Sequence, residues 1–393
     1  MSVGHKKVLL GSLGPSGADP SDIAFDGNIA NAFAHVEVAL DDHFHNPDVE
    51  GARAFYAGLA AHDLGGQPVW AMVVAPPGCG KTELINPMLG LSNVHVIDSV
   101  TPNTFISGKA PEPNKPRGKE GLLERIGERG MILVPDFSTI LAKSRQPRAD
   151  IFAQLRCIYD GKLRREFGID GLKSEWRGRI TLGAAVTPVI DRHTAVFGSL
   201  GDRFLLIRWK RIGGVDAAMK AMNQDFAAKE IAMRSAVHTM FTLMESAPEP
   251  HLDTATTRTI AAIAEIVALG RPAIEREHND ELLYEPEAEG ATRLSQQLCQ
   301  LAKGSARLDG RDMVSDSDLK IVHRVAWDTL PPLRAKVLRA LLRGEKVEST
   351  KLSPTTLWRI TGDLQHVGLM TSDRKLAPEM CELFDLAGLV PVP

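Results

Sequence analysis

The stretch VWAMVVAPPGCGKTEL, residues 69–84, passes from a short apolar run into a loop of proline and glycine and then into a helical pattern. An apolar run bounded by turn formers indicates a strand that is buried on both faces. Similar runs follow at residues 94–100, 131–136, 179–187 and 203–209, with helical patterns between most of them. This alternation predicts an α/β fold built on a parallel sheet.

The pattern of strand and helix signals changes along the chain, and each change marks a predicted domain boundary. The predicted segments are a mostly helical N-terminal segment (residues 1–64), an α/β core (65–213), an all-helical lid (214–330) and a winged-helix domain (331–393). The winged helix is assigned because two helical patterns, the second capped by Ser353, precede a short hairpin pattern.

The lid is predicted from helical spacing and from capping residues. One helix is expected from residue 215 to 246, a second after Asp253 as N-cap, and a third over residues 292–308. A series of methionines is expected to pack in the core of this segment rather than to form a ligand site. The series is Met219, Met222, Met233, Met240 and Met244.

Composition excludes several classes of protein. The 393 residues favour two or three domains, and a net charge of −3 gives no global signature of nucleic-acid binding, so any such site must be a local basic patch. No apolar run is long enough to span a bilayer, and the start lacks the pattern of a signal peptide. The cysteines lie too far apart for a zinc site or disulfide framework (Cys79, Cys157, Cys299, Cys381). A cytoplasmic protein with reduced thiols and no membrane partner is predicted.

The loop APPGCGKT is typical of phosphate binding. Its glycines let backbone N–H groups point inward, Lys81 adds a cation, and Thr82 offers a hydroxyl to Mg²⁺. Ala75 stands where the first glycine of G-x-x-x-x-G-K-[ST] is usually found, but the strand–loop–helix context supports the motif. We therefore expect ATP and Mg²⁺ as cofactors. The expected nucleotide contacts are Pro77, Gly78, Cys79, Gly80, Lys81, Thr82 and Glu83.

Polar residues at the ends of two further strands complete the predicted site. Asp136 can hold Mg²⁺ at the end of a strand neighbouring the loop, the alternative being an aspartate that caps a turn. Thr187 is expected to orient a water near the γ-phosphate. Phe137 stands where a general base is usual and cannot accept a proton. Glu83 and Asp160 remain as candidate bases; Glu83 is preferred, although a glutamate that stabilises its helix explains it equally well.

Taken together, these residues resemble the AAA+ ATPases. APPGCGKT matches their phosphate loop, MILVPD their metal strand, AAVTP their first sensor strand, and GDRF the segment whose arginine, here Arg203, reaches the ATP of a neighbouring subunit. The helices from Thr292 onward are similar to the lid of minichromosome maintenance helicases and MoxR-type ATPases, which implies that Arg293 touches the γ-phosphate. The resemblance covers residues 65–330 and is nearest to phage and mobile-element ATPases with a D-F-[ST] signature after the metal strand.

The resemblance implies an ATPase that acts as a homo-oligomer, for example a hexamer, because Arg203 completes a site only across an interface. The implied catalytic residues are Lys81, Glu83, Asp136, Thr187, Arg203 and Arg293, with Thr82 and Asp136 on the metal. The preferred function is remodelling of, or translocation on, DNA. The alternatives are a nucleotide-gated regulator with little turnover, which Phe137 favours, and a MoxR-like chaperone that acts on a protein partner.

Local basic patches are the predicted DNA contacts. A hairpin is expected over residues 160–179, with Lys162, Arg164 and Arg165 at its tip, and helicase relatives point such a hairpin into the ring pore. The C-terminal domain is expected to present a helix and a wing to DNA. Its predicted contacts are Thr355, Thr356, Arg359, Arg374 and Lys375. A basic loop at residues 107–121 is a further candidate; solvated loops and a protein-docking winged helix are the alternatives.

Overall fold

The computed structural model describes residues 31–106, 121–166, 173–192, 203–210, 213–277, 281–285 and 287–389. The strands are β1 (Trp70–Val74), β2 (Val94–Val96), β3 (Arg129–Val134), β4 (Lys162–Glu166), β5 (Lys173–Arg177), β6 (Arg179–Val186) and β7 (Phe204–Arg208). Five of them form a parallel sheet in the order β2-β3-β6-β1-β7, while β4 and β5 pair as an antiparallel hairpin. The prediction of an α/β fold with a parallel sheet is confirmed. The basic residues predicted in the loop at 107–121 lie outside the described residues.

Helices cover both faces of the sheet. In the first half of the chain they are α1 (Ala34–His43), α2 (Val49–Ala60), α3 (Lys81–Ile85), α4 (Leu122–Ile126), α5 (Ser138–Leu141) and α6 (Arg145–Tyr159). In the second half they are α7 (Val215–Met222), α8 (Phe226–Met244), α9 (Thr254–Gly270), α10 (Thr292–Leu308), α11 (Asp316–Thr329), α12 (Pro332–Leu342), α13 (Pro354–His366) and α14 (Pro378–Leu386). Within the described ranges, no helix is long and apolar enough to cross a membrane.

Successive side chains of a strand point to opposite faces of the sheet, so alternate residues of the strands pack into two separate apolar clusters. Ala71 and Val73 of β1 join the larger cluster, which continues through α1, α2 and the helices from α8 to α14. Trp70 and Met72 join a smaller cluster with α5 and α6 on the opposite face. Helices from both ends of the chain therefore share one core with the sheet.

The prediction of one helix from residue 215 to 246 is wrong in one respect, because there is a break in the helix between α7 and α8. Asp225 ends the break as the N-cap of α8, where its side chain accepts hydrogen bonds from the backbone N–H groups of Ala227 and Ala228 at 2.9 and 3.1 Å. The break also divides the methionine series. Met233, Met240 and Met244 are buried as expected, but Met219 and Met222 are 50% and 76% exposed.

The C-terminal segment contains α12, α13 and α14, with a short antiparallel bridge between Met370 and Leu376. The predicted cap of the second helix is present, since the Ser353 hydroxyl accepts a hydrogen bond from the Thr356 N–H at 3.2 Å. One basic residue of this segment, Arg334, is buried. Its guanidinium binds Asp363 at 3.2 Å and donates to the Gly270 carbonyl, so it attaches α12 to α13 and α9 and is not part of a surface patch.

Candidate functional site

The loop after β1, residues 75–80, contains two glycines in the left-handed region of backbone conformation. Gly78 and Gly80 have φ angles of 74° and 79°, a left-handed conformation that strains any residue with a Cβ. Pro76, Pro77 and Gly78 are exposed, and the space around the Gly78 Cα is open. The loop leads directly into α3, which begins at Lys81 and ends at Ile85 ahead of Pro87.

Lys81 folds back over this loop. Its ammonium donates hydrogen bonds to the carbonyl oxygens of Ala75 and Pro76, each at 2.8 Å. Burial lowers the pKa of Lys81 below its usual range, and the negative charge of the nearby Asp136 is among the effects that oppose this shift. A phosphate oxygen is a stronger acceptor for an ammonium than a neutral carbonyl, so an anion in the loop can compete for Lys81.

Asp136 and Thr187 come together at the same edge of the sheet through Ser138. One carboxylate oxygen of Asp136 accepts from the Ser138 N–H at 3.0 Å, which is the turn-capping role considered as an alternative. The Ser138 hydroxyl lies 3.2 Å from the Thr187 hydroxyl and accepts from the Thr187 N–H, also at 3.2 Å. Ser138 was not among the predicted site residues, although it is the last position of the D-F-[ST] signature.

The order of the strands corrects one expectation. The strand that carries Asp136 was expected to neighbour the strand before the loop, but β6 lies between β1 and β3. The Ala75 N–H donates to the Val186 carbonyl at 3.1 Å, so the loop begins directly beside Thr187. Lys81 and Asp136 therefore face each other across the end of β6.

Phe137 points into the core and away from this edge. Its side chain is fully buried, with ring centroids 6.3 Å from Phe152 and 5.6 Å from Phe204. A glutamate on the same backbone would also be directed between these rings. Phe137 is therefore a core residue and places no proton acceptor at this edge.

Glu83, the preferred candidate base, is held by a lysine of the helical segment. A Glu83 carboxylate oxygen lies 2.8 Å from the ammonium of Lys229 on α8, whose side chain is only 8% exposed. The same ammonium lies 5.2 and 5.3 Å from the ring centroids of Phe44 and Phe226. Phe44 also reaches the loop, since its ring is 3.7 Å from a Cβ built on Gly80. The sequence did not mark Lys229 or Phe44 as site residues, because neither belongs to a motif.

Arg203 lies at the opposite edge of the sheet from the loop. It precedes β7, whose first residue Phe204 pairs with Trp70, the first residue of β1, whereas the loop follows the last residue of β1. A strand of this length separates the two positions by about 17 Å. Arg203 is only 6% exposed, and its guanidinium contacts both carboxylate oxygens of Asp160 at 3.0 and 3.1 Å.

Arg293 lies beside Arg203 and not beside Lys81. The guanidinium carbons of Arg203 and Arg293 are 5.4 and 6.0 Å from the ring centroid of Tyr159. Burial raises the pKa of Tyr159, and the charges of these arginines oppose the rise. Arg293 also faces Glu289 at 3.8 Å. The structure therefore gathers Lys81, Asp136 and Thr187 at one edge of the sheet and Arg203, Arg293 and Asp160 at the other.

The basic residues of the hairpin do not lie at its tip. Lys162, Arg164 and Arg165 belong to β4, and Lys162 pairs with Arg177 at the base of the hairpin, so the prediction of their place is wrong. The tip at residues 167–172 lies outside the described residues. Arg164 and Lys162 face Glu175 at 3.0 and 4.0 Å, and Arg165 donates to the Pro102 carbonyl.

The C-terminal candidates lie on a surface that also carries acidic partners. Thr355 and Arg359 are exposed on α13, and Thr356 is half-buried beside Ser353. Arg374 lies 3.2 Å from Glu348, and Lys375 lies 3.0 Å from Asp373. The same helix exposes Trp358, whose 53% exposure was not anticipated.

Comparison of the chain with known protein families gives no match. Comparison with curated proteins gives none either.

Proposed function

We propose that the chain is a P-loop ATPase of the AAA+ type, which binds ATP with Mg²⁺ and hydrolyses it in an oligomer to remodel or translocate on DNA. The observation that carries the proposal is the arrangement of Lys81 over a loop of left-handed glycines, opposite Asp136 and Thr187. A lysine, a hydroxyl and a carboxylate around such a loop are the groups that a magnesium–triphosphate complex needs.

The residues present fit the cofactors. The loop N–H groups and Lys81 would hold the phosphates, and Thr82 and Asp136, both exposed, would hold Mg²⁺. Mg²⁺ would neutralise charge on the phosphates during transfer of the γ-phosphoryl group. Thr187, fixed by Ser138, would orient the attacking water, so chemistry at this edge depends on positioning more than on a strong base.

Oligomerisation belongs to the proposal because of where the arginines lie. Arg203 and Arg293 are together at the far edge of the sheet, and neither reaches the loop of its own chain. A second copy that presents this edge to the loop would supply both guanidinium groups. The ion pair between Arg203 and Asp160 would have to open or reorient in that assembly.

Titration of the full chain with a fluorescent ATP analogue and Mg²⁺ tests nucleotide binding. Lys81→Ala should weaken binding by at least about tenfold, because it removes a charge-assisted hydrogen bond to phosphate. Lys320→Ala, which removes an exposed lysine on α11, is the matched control and should bind like the wild type. Equal affinity in the wild type and Lys81→Ala would contradict the proposal.

A nucleotide-gated regulator with little turnover is the second candidate, and specific contacts favour it. Phe137 is buried, Glu83 is paired with Lys229, and Arg203 is paired with Asp160. Steady-state ATP hydrolysis with and without single- and double-stranded DNA separates the candidates. DNA-stimulated turnover supports the motor, and tight ATP binding without turnover under all conditions supports the regulator.

Contact with DNA is proposed through the hairpin and α13. The support is the set of exposed polar and basic groups on these elements, although Glu175, Glu348 and Asp373 offset part of the charge. Affinity that falls steeply with salt would indicate phosphate contacts, since these release counterions. Turnover indifferent to DNA would instead favour the protein-directed chaperone, for which exposed Trp358 is a fitting contact residue.

A further inference from the structure

A cleft lies between α9, α10 and the chain segment that leads into β1, and its volume is about 350 Å³. The residues that line it include Gln67, Ile260, Ala261, Ser295, Cys299 and Gln300. Short side chains at three of these positions, Ala261, Ser295 and Cys299, leave the space between the helices open. Sites for small molecules have volumes of roughly 300–1,000 Å³, so the cleft can hold a compound of one or two rings.

The cleft is separate from the candidate nucleotide site. Gln67 precedes β1, whereas the loop that carries Lys81 follows the last residue of β1. The length of this strand, about 17 Å, therefore lies between the cleft and the loop. The cleft is a second candidate site and not an extension of the first.

Gln300 supplies the cleft with an unused hydrogen-bond acceptor. The residue is 7% exposed, and its Nε2 donates to the Gly65 carbonyl at 2.7 Å. This contact fixes the orientation of the amide, because the Gly65 oxygen would repel Oε1 in the reversed orientation. Within the described ranges, Oε1 of Gln300 has no hydrogen-bond partner. A buried acceptor without a donor costs free energy, which a donor on a bound compound would recover.

Two hydroxyl groups in the lining also act as acceptors. The Thr257 hydroxyl donates to the Asp253 carbonyl at 2.7 Å, and the Ser295 hydroxyl donates to the Thr292 carbonyl at 2.9 Å. A hydroxyl has one proton, so both offer only lone pairs to the cleft. The amide of Gln296, which also lines the cleft, can donate or accept and adds no preference.

The described residues that line the cleft carry no charge. They are glycine, apolar residues, hydroxyl and amide side chains, and Cys299. Burial raises the pKa of the Cys299 thiol, which keeps the thiol neutral at pH 7. A cation in the cleft would lose its hydration without gaining an opposite charge, and an anion would face oxygen lone pairs. The lining therefore suits a neutral compound.

We infer that this cleft is a binding site for a small neutral compound with an apolar body and N–H donor groups. The donors pair with Oε1 of Gln300 and with the hydroxyl oxygens of Thr257 and Ser295, and the body packs against Ile260 and Ala261.

Titration of the full chain with indole and with benzofuran, followed by ligand-observed NMR, tests the inference. Benzofuran has the shape of indole but carries an oxygen in place of the N–H group. Indole should bind at least about fivefold more tightly, because it alone supplies a donor to a buried acceptor. Gln300→Met should remove this preference. No binding of indole, or equal affinity of the wild type for both compounds, would overturn the inference.

A variant that fills the cleft tests its location without disturbing Gln300. Ala261→Phe, at an exposed position on α9, should weaken indole binding at least tenfold. Ala255→Phe adds the same ring at another exposed position of α9 and should bind indole like the wild type. Unchanged indole binding by Ala261→Phe would overturn the inference.

Labelling of the cysteines with N-ethylmaleimide, followed by mass spectrometry, gives a second readout on the wild type. Saturating indole should slow the labelling of Cys299 at least threefold. The exposed Cys157 and Cys381 are internal controls, and their labelling rates should not change. Protection of none of these cysteines, or equal protection of all three, would contradict binding in this cleft.

Discussion

At the scale of single residues, Phe137 shows why no second carboxylate follows Asp136, the proposed metal ligand. The backbone after β3 turns so that Asp136 is exposed and the next side chain enters the apolar cluster on the α6 face. Phe137 is therefore a core residue, and its contribution is to stability and to the placing of Asp136.

Placing a glutamate at this position is expected to destabilise the protein strongly rather than to accelerate hydrolysis. Phe137→Glu would bury a carboxylate between Phe152 and Phe204, and we expect a loss of more than about 4 kcal/mol of unfolding free energy. Phe137→Leu, the matched apolar control, should lose about 1–2 kcal/mol. Urea unfolding measures both. A stable Phe137→Glu protein with faster ATP turnover would contradict this placement.

The sequence predicted those site residues that sit at the ends of strands. Asp136 and Thr187 follow apolar runs, and Lys81 belongs to a continuous motif, so parallel strands had to bring them to one edge. Lys229 and Phe44 could not be predicted in this way. Phe44 reaches the loop at Gly80 and Lys229 reaches Glu83 through packing of the end of α1 and of α8, which no local pattern encodes.

At the scale of elements, the contact between α2 and α10 joins the helical segment to the sheet. The two helices approach most closely at Gly304, where a Cβ would overlap the carbonyl oxygen of Ala57. Arg53 of α2 also donates to the Ser305 carbonyl at 3.1 Å and to Asp309 at 2.5 Å. The glycine is needed for this approach of two backbones.

Gly304→Ala should destabilise the protein, against the usual gain from replacing glycine in a helix. We expect a loss of at least about 2 kcal/mol of unfolding free energy. The added methyl group would meet the backbone carbonyl of Ala57, which cannot rotate away as a side chain can. Gly362→Ala on α13 is the control, because a Cβ there meets only the end of Arg276 at 3.8 Å. That variant should be neutral or gain up to about 1 kcal/mol. Urea unfolding that showed equal stability for the two variants would count against the close packing of α2 and α10.

His62 links the 3₁₀ turn after α2 to β6 and should make stability depend on pH. Its Nδ1 lies 3.0 Å from the Thr181 hydroxyl, and burial lowers its pKa from 6.5 to about 4. The pKa of His62 is lower in the folded state than in the unfolded state. The contribution of His62 to stability is therefore fully present above about pH 6.5 and is lost as the pH falls towards 4. The pKa difference corresponds to roughly 3 kcal/mol of unfolding free energy.

His62→Gln should remove this part of the pH dependence. The measurement is the unfolding free energy of the wild type and the variant between pH 7 and pH 4.5. Relative to the wild type, the variant should gain about 2 kcal/mol of unfolding free energy as the pH falls over this range. His366→Gln, at an exposed position on α13, should follow the wild type. Parallel curves for the wild type and His62→Gln would show that the imidazole is protonated equally in both states.

Element boundaries were predicted where capping residues mark them. Asp253 and Ser353 each accept a hydrogen bond from a backbone N–H of the helix that follows, as expected. The break before Asp225 was missed because the methionines on both sides of it keep a helical spacing. Periodicity alone cannot tell a helix that faces the core from one that faces solvent or another chain.

At the scale of the whole molecule, the parallel sheet separates the loop that carries Lys81 from Arg203 and Arg293. Parallel strands place all their carboxyl ends on one side, so the Lys81 site and the Arg203 site must lie at opposite edges of one chain. A head-to-tail assembly is the arrangement that repeats such a contact from copy to copy. The sequence predicted a site shared between subunits, but not the pairing of Arg203 with Asp160 inside one chain.

Completion of the Lys81 site by Arg203 of a second copy is tested by ATP turnover in mixtures of two variants, Lys81→Ala and Arg203→Ala. Each variant alone should be nearly inactive, because every interface lacks either the lysine or the arginine. In a random equal mixture about a quarter of the interfaces combine an intact Lys81 with an intact Arg203, so roughly a quarter of the wild-type rate should return. The same test can be made with Arg293→Ala. The Arg293 side chain is 35% exposed, so its removal disturbs the core less than the removal of Arg203. Mixtures that remain as inactive as their components, or an Arg203→Ala protein with the full wild-type rate, would contradict a site shared between two copies.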